Sequence, residues 1–123
     1  MEVRRMGLTV VTYDEGPGPR RNKAKKNPPA REVDVMDYEY EDLLERFTGS
    51  DVCQRLMPMV SRWTPWGRDW NHSTAEIESI VPEFERALTA VDAGSETSKM
   101  LEQLLAMSRR AVAEHLCMAV IRD

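Results

Sequence analysis

The sequence predicts an all-α protein: a flexible basic, Pro/Gly-rich arm over residues 1–36, then a helical domain over 37–123. That domain reads as a compact, dimeric bundle of four to five helices with a long C-terminal helix. Three observations carry the reading. Apolar residues recur at helical spacing in successive segments beyond Asp37. Ser50, Ser73 and Ser95 stand where helix N-caps are wanted. Charge also reverses sharply: residues 20–31 hold six cations and no acid, and residues 32–45 hold seven acids and no cation.

Composition limits the function classes. The 123 residues are 41% hydrophobic and 31% charged, with a net charge of −4. The arm side, residues 1–32, carries +4, and residues 33–123 carry −8. No apolar run approaches the roughly 18 residues that span a bilayer, so no membrane partner is expected. The N-terminus lacks the apolar block of a secretory signal. Cys53 and Cys117 lie far apart, which suits packed thiols in a reducing compartment, cytoplasmic or nuclear.

Within the arm, Leu8–Tyr13 (LTVVTY) is β-prone but has no visible strand to pair with. Strand content is therefore expected to be near zero. The first helix follows Asp37 as N-cap, with Tyr40, Leu43, Leu44 and Phe47 on one face and Gly49 as its stop. Ser50 opens the second, whose stripe is Val52, Leu56, Met59, Val60 and Trp63, and Pro58 kinks or divides it. TPWGRDWNH is a loop. Ser73 to Glu76 fits a capping box and starts the third helix, striped by Ile77, Ile80, Val81, Phe84, Leu88 and Val91 around Pro82. Ser95 opens the last helix, expected to run to about residue 122. Its face, Leu101, Leu104, Leu105, Val112, Leu116, Ala119 and Val120, is wider than one small body covers, and Leu101, Leu104, Leu105, Val112 and Leu116 are assigned to a homodimer interface.

Metal chemistry finds no support in spacing. Cys53, His72, His115 and Cys117 form no C-x-x-C or H-x-x-x-H pair, so no metal and no cofactor is expected. A small enzyme resting on Cys53, His72 or His115 ranks last among function classes. The basic cluster Arg20, Arg21, Lys23, Lys25, Lys26 and Arg31 suits a nuclear import receptor or a phosphate backbone. Without interleaved aromatics it does not suit stacking on bases.

Tyr38-Glu-Tyr-Glu-Asp-Leu43-Leu44 matches the pattern Y-x-x-x-x-L-Φ, with Φ apolar. It resembles the short helical motif by which initiation-factor scaffolds and translational repressors dock on the cap-binding translation initiation factor. The resemblance implies that Tyr38, Leu43 and Leu44 grip a partner. It departs from that motif in having acidic inner positions. Tyr40, Leu43, Leu44 and Phe47 form the better stripe for packing against the body. Trp66 and Trp70 have two readings as well: caps on the core or a subunit interface, or an exposed anchor beside Arg62 and Arg68.

Together these features predict a non-enzymatic helical adaptor or regulator, viral or accessory in character. It would bind a protein through its helical surface and an acidic partner through the arm. The alternative is an RNA-binding structural protein that uses the arm, with the helical domain as oligomeriser.

Overall fold

The computed structural model describes residues 7–14, 31–63 and 68–122, and these form a mixed α/β fold rather than an all-α one. Four strands build the sheet: β1 (Leu8–Asp14), β2 (Arg31–Val35), β3 (Trp70–His72) and β4 (Cys117–Arg122). Four helices accompany them: α1 (Glu41–Thr48), α2 (Asp51–Leu56), α3 (Thr74–Ala90) and α4 (Glu96–Glu114). The pairings are antiparallel and the strand order is β2-β1-β4-β3.

The first correction concerns LTVVTY. Its β-branched run Thr9 to Thr12 is strand-prone, and it does find partners. β1 is an inner strand, flanked by β2 through Val11↔Val35 and by β4 through Val10↔Val120. Neither partner is adjacent in a way that reading along the chain reveals. Leu8 and Val10 alternate with Thr9 and Val11, and Leu8, Val10, Met118 and Val120 all enter the core beneath the helices.

The second correction concerns the C-terminal helix. It ends at Glu114, not near residue 122. His115 adopts the left-handed conformation (φ 57, ψ 48), and the Leu116 amide donates to the Ala111 carbonyl at 2.8 Å. The His115 amide donates to Val112, which completes a Schellman stop. Beyond it Met118 and Val120 are buried at period 2 in β4. The same short apolar run fits a helical stripe, so periodicity alone did not separate the two.

The third concerns the width of α4's apolar face. Leu101, Leu104, Leu105 and Leu116 are buried within this one chain, and Val112 packs half-buried against the same core. The sheet and α3 cover the surface that the sequence assigns to a second subunit.

The caps fall where the serines predict. Ser50, Ser73 and Ser95 side chains accept from the amides of Cys53, Glu76 and Ser98. Asp37 makes no side-chain cap; a 3₁₀ turn, Tyr38–Tyr40, precedes α1 instead. α2 stops before Pro58, and a second 3₁₀ turn, Val60–Trp63, follows. α3 runs on through Pro82, whose side chain is exposed. Among the described residues no helix is long and apolar enough to cross a membrane.

Candidate functional site

Buried polar groups gather where the Val60–Trp63 turn meets β3 and the start of α3. The arrangement begins with Glu83, an acid on the apolar face of α3 and almost fully buried. Its carboxylate accepts from the amides of Met59 and Val60 at 3.0–3.1 Å. These are N–H groups that open the turn, and a buried amide without a partner is costly. Glu83 therefore pins the turn against α3, and the turn carries Trp63 into the core beside Phe84.

Trp63 meets His72 there. The indole N–H of Trp63 donates to His72 Nε2 at 3.0 Å, and His72 Nδ1 lies 3.0 Å from Glu76 Oε1. An indole nitrogen only donates, so Nε2 is the acceptor and Nδ1 carries the proton toward Glu76. The Ser73 capping box is thus half used: Ser73 accepts from the Glu76 amide, while the Glu76 carboxylate turns to His72. Trp70, two positions before His72 on the same face of β3, stacks on its ring (6.3 Å between centroids, 7° between planes). The Arg68 guanidinium lies 4.4 Å over the Trp70 ring, in cation–π range.

Beside this stack opens a cleft of about 400 Å³, lined by Met59, Arg62, Arg68, Asp69, Trp70, Asn71, His72 and Glu76. Its acids are engaged. Asp69 Oδ1 accepts from the Arg122 amide at 2.9 Å, and Glu76 holds His72. Asn71 Oδ1 accepts from the Tyr13 hydroxyl at 2.6 Å. Arg62 and Arg68 have no carboxylate partner among the described residues. The Trp70 N–H is buried and has no hydrogen-bond partner among the described residues.

The chemistry open to the other sequence-selected residues is narrow. Both His72 nitrogens are occupied. Cys53 is fully buried; burial, with the Glu83 charge second, pushes its thiol up to about 12. His115 is the exposed cap of α4. Cys53 lies in the core, while Cys117 is half-buried at the start of β4. Among the described residues no three His, Cys, Asp or Glu side chains converge as metal ligands would.

The structure separates the residues of the Y-x-x-x-x-L-Φ match. Tyr38 is 66% exposed, Leu43 is half-buried, and Leu44 lies wholly in the core. Phe47 is also core, and Tyr40 is half-buried against it. Of the basic cluster, Arg20, Arg21, Lys23, Lys25 and Lys26 lie outside the described residues, as does Trp66. Arg31 begins β2, with Asp14 3.5 Å from its guanidinium. Of the residues selected for protein binding, Trp70 reaches the cleft, next to Arg62 and Arg68; His72, selected as a catalytic candidate, lines it too. Sequence reading missed Glu83. Its signal was an acid three positions after Ile80, inside the apolar stripe of α3.

Comparison with known proteins finds no matching family model, no matching curated protein and no matching solved structure.

Proposed function

We propose that this protein is a non-enzymatic interaction module that binds a partner protein through the cleft beside β3. The observation that carries the reading is the Arg68–Trp70 stack on the wall of that cleft. Trp and Arg dominate the energetics of protein interfaces because they bury large area and still hydrogen-bond at their edges. The occupied His72 nitrogens argue against acid–base work at the same place. The basic residues Arg20–Arg31 supply a second, electrostatic contact to an acidic partner, and the two thiols suit a reducing compartment.

The test is affinity capture from the native host with wild-type, Trp70→Ala and Arg68→Ala baits, each with and without nuclease. A partner retained by wild type after nuclease and lost with both variants, at unchanged circular dichroism, supports the reading. Capture that disappears with nuclease and ignores both substitutions would transfer the function to RNA and the arm.

A further inference from the structure

The cleft presents more hydrogen-bond donors than its own acceptors use. The Arg62 and Arg68 guanidiniums lack carboxylate partners among the described residues, while Asp69 and Glu76 are already bonded. The Arg68 guanidinium carbon lies 4.4 Å over the Trp70 ring, and a guanidinium packed on an aromatic face can keep its N–H fork for another partner. That fork matches a carboxylate.

Charge sets the size of the anion. Arg62, Arg68, Asp69 and Glu76 cancel formally, and residues 33–123 carry −8. Such a body repels a polyanion far more than it repels one carboxylate. The backbone sets the shape. β3 is an edge strand of the described sheet, and Trp70 and His72 both line the cleft from it. An extended segment laid along that edge turns alternate side chains toward the cleft.

We infer that the cleft receives an extended segment of a partner protein carrying an Asp or Glu side chain. Its carboxylate is clamped by Arg62 and Arg68, and the apolar side chain two positions away lies on Met59 and Trp70. The inference rests on the reading of this cleft as the partner-binding site.

The probe is a pool of acetylated, amidated pentapeptides, each with Glu and an apolar residue two positions apart. They are titrated into the 15N-labelled full chain while the indole N–H resonances are followed. The Trp70 resonance is assigned by its loss in Trp70→Phe. A saturable shift of that resonance is expected, with affinity weakened about tenfold when Gln replaces Glu in the peptides. Arg62→Gln and Arg68→Gln, both on exposed residues, are expected to weaken it by about the same factor. No shift at about 1 mM peptide, equal binding of the Gln pool, or an equal response to inorganic phosphate or an oligouridylate overturns the inference. Failure of the two readings is distinguishable. If the peptides do not bind but Trp70→Ala still releases the captured partner, the carboxylate assignment falls and partner binding stands. If the peptides bind but Trp70→Ala leaves capture intact, the carboxylate site stands and the partner-binding reading falls.

Discussion

The indole N–H of Trp63 donates to Nε2 of His72 inside the core, and this single bond decides the imidazole's proton arrangement. Nδ1 must then be the donor to Glu76. The ring is a bridge between the turn and α3, with its polar atoms used internally.

Replacing His72 with Leu leaves the Trp63 N–H buried and unpaired. The expected loss is about 1–3 kcal/mol, read as a lower urea midpoint at an unchanged m-value. A blue-shifted, brighter Trp63 fluorescence would accompany a drier ring. A midpoint within error of wild type would mean that the bond contributes nothing.

Glu83→Ala removes the acceptor of two turn amides at once. We expect a loss of about 2–3 kcal/mol and faster hydrogen exchange at Met59 and Val60. Glu83→Gln keeps one acceptor oxygen and should lose clearly less. Equal losses would show that the charge of Glu83, rather than its acceptor geometry, holds the turn.

His115 occupies a left-handed conformation that a Cβ disfavours. His is tolerated there better than most side chains, and glycine better still. His115→Gly is expected to raise stability by about 0.5–1 kcal/mol, and His115→Val to lower it by at least that amount. Thermal unfolding of the two variants gives the comparison. A destabilised glycine variant would contradict the helix-stop account.

Cys53 titrates in the direction that burial dictates. Its thiol is pushed from 9.0 to about 12, so the folded chain holds the proton more tightly than the unfolded chain does. That contribution to stability is complete below about pH 9 and is lost as pH climbs toward about 12. The stability gap between wild type and Cys53→Ala should therefore narrow between about pH 8 and about pH 11. The cavity left by alanine weighs equally at both values. A gap that stays constant with pH would refute the assignment.

Much of the helical layer was legible because its signals are local. Ser50, Ser73 and Ser95 act over three residues, and the stripes of α3 and α4 recur within one turn. The sheet was not legible, because its evidence is spread along the chain. LTVVTY looked unpaired since its partners are Arg31–Val35, inside a charged stretch, and Cys117–Arg122, whose apolar residues also fit a helix. The stop at His115 carried no glycine to announce it. At the site, Trp70, Arg62 and Arg68 were visible as neighbours in sequence. The Glu83 and His72 bonds were not, because they join residues on different elements.

The pairing of β1 with β4 brings Val10 against Val120, from opposite ends of the described chain. Closing so large a loop adds only modest entropy cost per doubling of length, but it slows the search for the native state. The hairpin of α3 and α4, joined by a few residues, can form early and locally. Until β4 slots between β1 and β3, those strands cannot complete the sheet and expose unpaired backbone edges. Refolding is therefore expected to be fast in helical signal and slow in tertiary signal. Aggregation during production should be governed by that delay more than by the stability of the finished fold.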